Sequence, residues 1–186
     1  EAHAAGIVHR DLKPQNMFLV QPLHGAPRVK LLDFGISKLS EATVDATHDQ
    51  SITSPQAVLG TPAYIAPEQL TSSKDVDARA DLWSVGAILY ELLVGRMLFE
   101  AESVGAALAK VLQMPVPSLR ATRDDVPAEL DEVVLRCLRR DPSERWSSAS
   151  ELRRALEPFA RDASADAGAA DTIPSLPPPP LPSAST

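Results

Sequence analysis

With 186 residues, 44% of them apolar, the chain can bury one sizeable core, and no run approaches the roughly 20 apolar residues of a membrane span. The formal net charge of −7 comes from interspersed acidic and basic residues, so no basic stripe offers itself to nucleic acid or an anionic membrane. A single cysteine, Cys137, excludes an internal disulfide; among Val133, Val134 and Leu138 it reads as a core residue, and a reducing cytoplasm is the expected setting.

Met17 to Val20 and Arg28 to Leu32 are short apolar runs separated by Pro22, Gly25 and Pro27, a pattern that predicts a hairpin. Residues 36–59 are rich in Ser, Thr and Asp and predict a long mobile loop in which regulation would sit. From Asp77 to Leu93 the positions Leu82, Val85, Gly86, Leu89, Leu92 and Leu93 recur at helical spacing, and Trp83 and Ile88 widen the stripe toward a central core helix. Val104, Leu108, Val111 and Leu112 mark a second helix that Pro115 and Pro117 end, with an outer face free for partners. Pro127, at a first helical position, opens a third, with Leu130, Val133, Val134, Cys137 and Leu138 as its stripe and Asp141-Pro142 as its stop. Ser148 to Glu151 reads as a capping box for a last helix with Leu152, Leu156 and Phe159 inward. Residues 162–186, rich in Pro, Ala and Ser with a four-proline run at 177–180, predict a disordered tail and a spacer rather than a binding motif. His3, His24 and His48 lack metal-ligand spacing and read as solvated surface residues.

Three motifs stand in one order: His9-Arg10-Asp11-Leu12-Lys13-Pro14-Gln15-Asn16, then Asp33-Phe34-Gly35, then Ala66-Pro67-Glu68. Together they resemble the catalytic loop, metal-binding triplet and activation-segment end of a eukaryotic-type protein kinase, most like its bacterial serine/threonine members. Lys13-Pro14 and the run from Gly60 to Glu68 carry the likeness to the serine/threonine branch, and the Gly60 to Glu68 run argues against small-molecule phosphotransferases. The fold implied is mainly α with a small β-hairpin, the C-terminal lobe of the α+β kinase fold, over residues 1–161. Only Glu1 to Val8 precede the loop, so a fragment is expected, with the N-terminal lobe and its ATP-holding lysine absent and weak or no activity alone.

The resemblance implies transfer of the ATP γ-phosphoryl group to Ser/Thr hydroxyls of proteins, with ATP and Mg2+ as cofactors. Asp11 would accept or orient the hydroxyl proton, Lys13 would lie beside the travelling phosphate, and Asn16 and Asp33 would supply hard oxygen ligands to magnesium. Phe34 and Gly35 would let the segment alternate between states, and Thr61 would hydrogen-bond toward Asp11 and Lys13. His9 is expected to pack beneath the loop, Asp81 to hold the loop backbone, and Arg145 to be the buried partner of Glu68. Arg10 beside Asp11 resembles kinases switched on by loop phosphorylation, with Thr43, Thr47, Ser51, Thr53 and Ser54 as acceptors and a second kinase acting in trans as an implied partner. Bacterial relatives often add a membrane anchor and sensor domain, so a longer, anchored product is compatible with the likeness. The competing reading is a catalytically idle lobe that docks kinases or substrates through Val104 to Gln113; the joint presence of Asp11, Lys13, Asn16 and Asp33 favours the enzyme.

Overall fold

The computed structural model describes residues 2–22, 27–33, 62–71 and 76–166. Two strands, β1 (Met17–Val20) and β2 (Arg28–Leu31), pair antiparallel with Met17 opposite Leu31 and Leu19 opposite Val29. Leu32 lies one residue past the strand, yet its N–H donates to the Asn16 carbonyl at 2.9 Å and ties the hairpin to the loop before it. The five α-helices among the described residues are α1 (Pro67–Thr71), α2 (Arg79–Val94), α3 (Val104–Gln113), α4 (Ala128–Cys137) and α5 (Ala149–Asp166). None is long and apolar enough to cross a membrane.

Helix α2 is the axis of the fold, buried on most of its circumference as its apolar content requires. Trp83 is fully buried and stacks on Phe99 with ring centroids 5.8 Å apart, in a core that includes Ile88, Tyr90, Val111 and Val134. A second cluster joins Leu82 to Val133, Cys137 and Leu152, so α4 and α5 close over the other flank of α2. Close approach of α2 and α4 needs Gly86, since a Cβ there would lie 2.5 Å from the Cys137 Cβ. Gly95 ends α2 in the left-handed conformation at φ 80°, its N–H donating to the Glu91 carbonyl.

Five expectations change in detail. Leu92 is 74% exposed rather than in the core: it lies on the outer side of the last turn of α2, while Leu93 and Val94 of the same turn pack on the core and Tyr90 fills the interior. Pro127 is the residue before α4, not its first helical position. The capping box of α5 is displaced: the Glu151 N–H does find the Ser148 hydroxyl at 3.2 Å, but its carboxylate accepts from the backbone and hydroxyl of Ser147. His3 is not a solvated surface residue; its ring reaches Asp81 across 78 positions of chain. The loop at 36–59 and residues 167–186 of the expected tail lie outside the described residues, but residues 162–166, also expected to be disordered, instead continue α5.

Candidate active site

The first motif is an irregular loop hung from the N-terminal turn of α2. Asp81, buried in that turn, accepts the backbone N–H of His9 on Oδ2 and that of Arg10 on Oδ1, both at 2.9 Å. The His3 Nε2 makes a third contact with Oδ2 at 2.8 Å. A buried carboxylate needs such partners, and satisfying it fixes where the loop begins.

His9, itself buried, extends the support to the hairpin. Its Nε2 donates to the Leu32 carbonyl at 3.1 Å while Nδ1 accepts from the Asp11 N–H at 3.4 Å, an assignment that selects the neutral tautomer with the proton on Nε2. Arg10 has φ 63° and Asp33 φ 53°, the only described non-glycine residues with positive φ. Such backbone is held only where its surroundings over-determine it. The Arg10 guanidinium makes a long contact to the Val76 carbonyl, 3.4 Å.

The polar groups of the loop then converge. The Lys13 ammonium lies 2.9 Å from the Asp11 Oδ2, and Asn16, buried, donates from its amide nitrogen to the Asp11 carbonyl at 2.8 Å. The same side chain carries an amide oxygen, a hard donor for a cation. Asp33 follows Leu32, whose N–H holds the Asn16 carbonyl, so the two oxygen donors stand on adjoining backbone. Two such donors fit a hard cation that takes its remaining ligands from water and phosphate; among the described residues no cluster of three His, Cys, Asp or Glu residues forms a metal cage.

The last motif is anchored separately. Arg145, with its side chain fully enclosed, donates to both Glu68 oxygens at 2.7 Å and to the carbonyls of Arg139, Arg79 and Arg140 at 2.7, 2.9 and 3.1 Å. All five guanidinium N–H groups are therefore used, and the group also lies over the Trp83 ring, 5.1 Å from its centroid. Phe34, Gly35, Thr61 and the five acceptor hydroxyls from Thr43 to Ser54 lie outside the described residues.

Two residues at the site were missed from sequence. His3 carried no signal, since nothing local marks a partner in α2. Gln69 stands directly after the Ala66-Pro67-Glu68 motif; its Oε1 accepts the Ala66 N–H at 3.1 Å and its Nε2 donates to the Arg10 carbonyl at 2.9 Å.

Residues 2–156 match the family model described as protein kinase domain. The chain is similar to serine/threonine-protein kinase Pkn1 of Myxococcus xanthus, 46% identical over 156 residues that cover 84% of this chain and 22% of that protein. It is also similar to pkn3 of the same organism, 39% identical over 160 residues, and to PknB of Mycolicibacterium smegmatis, 40% identical over 156 residues. These alignments cover 84% and 83% of this chain, but only 28% and 23% of the two proteins. The chain thus spans 22 to 37% of the length of the curated relatives it matches.

Proposed function

The chain belongs to the protein kinase domain family, and on that premise we propose that it carries the phosphoryl-transfer residues of a protein serine/threonine kinase. The observation that carries this reading is the convergence on Asp11, with the Lys13 ammonium at its carboxylate and the Asn16 amide at its carbonyl.

In this reading Asp11 accepts or orients the proton of a Ser/Thr hydroxyl on a protein substrate. Its carboxylate is steered by Lys13, and Lys13 is near enough to pass to an incoming phosphate, since an ammonium has three donors to share. Protein kinases generally use ATP and magnesium, and here Asn16 and Asp33 are the residues to hold the ion. Bound there, magnesium would neutralise phosphate charge that develops as the γ-phosphoryl group departs. Nearly all the catalysis asked of the chain is placement, which agrees with how many hydrogen bonds go to the loop backbone rather than to its side chains.

The test is phosphate transfer from γ-labelled ATP to a Ser/Thr peptide by the native protein purified from its own cell, beside the Asp11→Asn variant. Loss of transfer by a factor of at least 100 in the variant is expected from removal of a positioned base. Equal transfer by both proteins would refute the assignment.

A further inference from the structure

We propose that Gln69 is a positioning residue for phosphoryl transfer: its side-chain amide pins the peptide plane carrying Asp11 to the segment end at Ala66-Pro67-Glu68. The inference rests on the reading of Asp11 given above.

The peptide unit joining Arg10 to Asp11 has two polar ends. Its N–H, from Asp11, reaches the His9 Nδ1 at 3.4 Å, outside the usual range for a firm hydrogen bond. Its carbonyl, from Arg10, accepts from the Gln69 Nε2 at 2.9 Å, so the tighter hold on this plane is Gln69. The preceding peptide is already fixed, because the Arg10 N–H is bound to Asp81 at 2.9 Å. Arg10 sits between the two planes at φ 63°, a conformation that relaxes unless both sides are held. Freeing the Gln69 end would let the plane rotate about the Arg10 Cα–C bond and carry Asp11 with it.

The other end of the amide is occupied as well, since Gln69 Oε1 accepts the Ala66 N–H at 3.1 Å. The two partners settle the orientation of the amide without ambiguity: Ala66 can only donate and the Arg10 carbonyl can only accept. A carboxylate of the same length could serve Ala66 but would set an acceptor against the Arg10 carbonyl, and an aliphatic side chain would serve neither. Gln69 lies in α1 beside Glu68, which Arg145 clamps from the core. A continuous path therefore runs from the buried guanidinium through α1 to the Asp11 peptide, and Asp11 is oriented while the segment end is docked.

Amide hydrogen exchange on the full 186-residue chain, comparing Gln69→Leu and Gln69→Glu with wild type, reads both ends of the bridge. Gln69→Leu is expected to speed exchange at least about tenfold at both Ala66 and Asp11. Gln69→Glu is expected to speed it at Asp11 alone, and this near-isosteric variant serves if the leucine variant does not fold. In the native protein both variants are expected to lower kcat at least about tenfold while KM for ATP and peptide stays within about threefold, the pattern of an interaction realised in the transition state. An Asp11 amide indifferent to Gln69→Glu, or a raised KM with unchanged kcat, would overturn the inference with the reading of Asp11 intact. A wild type without phosphotransfer would overturn that reading and this inference with it.

Discussion

Replacing Arg145 by methionine should be among the most damaging single changes open to this chain, for reasons that can be counted. The side chain is fully enclosed and gives two hydrogen bonds to Glu68 and three to backbone carbonyls. Removing one member of a buried ion pair strands the other charge at a typical cost of about 3 to 5 kcal/mol. Glu68 remains partly accessible, 18% exposed, and recovers some hydration, which places the pair's share toward the lower figure. The orphaned carbonyls of Arg139, Arg79 and Arg140 add to it. A loss of about 4 kcal/mol is therefore expected, out of a total that is commonly about 5 to 15. Urea denaturation of the 186-residue chain, followed by circular dichroism, measures it. The double variant Glu68→Leu with Arg145→Met separates the two contributions. An ordinary buried pair replaced by apolar residues of similar volume is often neutral or better, but here the carbonyls stay unserved, so about 2 kcal/mol of the loss should persist. A single variant that loses less than about 1 kcal/mol, or a double variant as stable as wild type, would refute the claim that this guanidinium organises the segment end.

Gly86→Ala tests the contact between α2 and α4. Alanine favours a helix by about 1 kcal/mol, but its Cβ would lie 2.5 Å from the Cys137 Cβ, and neither atom can rotate away. A net loss of about 1 to 2 kcal/mol is expected, and an unchanged or higher urea midpoint would disprove it. Cys137 tests burial by titration. Enclosure pushes its thiol up to about 12 from an ordinary 9.0, so the fold excludes the thiolate. The stability it contributes is complete below about pH 9 and is lost as pH rises toward 12, reaching a deficit of about 1.4 kcal/mol at pH 10 relative to Cys137→Ala. Parallel pH profiles for the two proteins between pH 8 and 10.5 would contradict this. The native thiol should also resist iodoacetamide at pH 8 and react once urea unfolds the chain, because the thiolate is the nucleophile.

What could be read along the chain was what is encoded locally. The hairpin followed from two apolar runs around prolines, and the observed strands agree to within a residue. Helices α2 to α4 followed from apolar recurrence and from prolines, which act on the backbone within a turn of where they stand. The three motifs fixed the family because the chemistry demands particular side chains at particular spacings. Details failed where a local rule had two solutions of similar energy. At the start of α5 the Ser148 hydroxyl accepts the Glu151 N–H, but the Glu151 carboxylate turns to the N–H and hydroxyl of Ser147 rather than to the Ser148 N–H, a choice the local pattern leaves open. Leu92 fits the helical period as well as its neighbours do, but the period says nothing about where the opposing surface stops.

Residue types and their order were enough to determine that this chain makes a mainly helical lobe of the protein kinase family, and to single out Asp11, Lys13, Asn16 and Asp33 as the chemical set we propose. Only the tertiary structure could decide which distant groups hold those residues in place. His3 meets Asp81 from 78 positions away, Gln69 meets Arg10 from 59, and Arg145 meets Glu68 from 77. A histidine or glutamine reads the same in sequence whether its hydrogen bonds go to water or to a backbone carbonyl. The choice is made when the helices pack, because burial removes the water and leaves each polar group bound to whichever partner the fold has brought within reach.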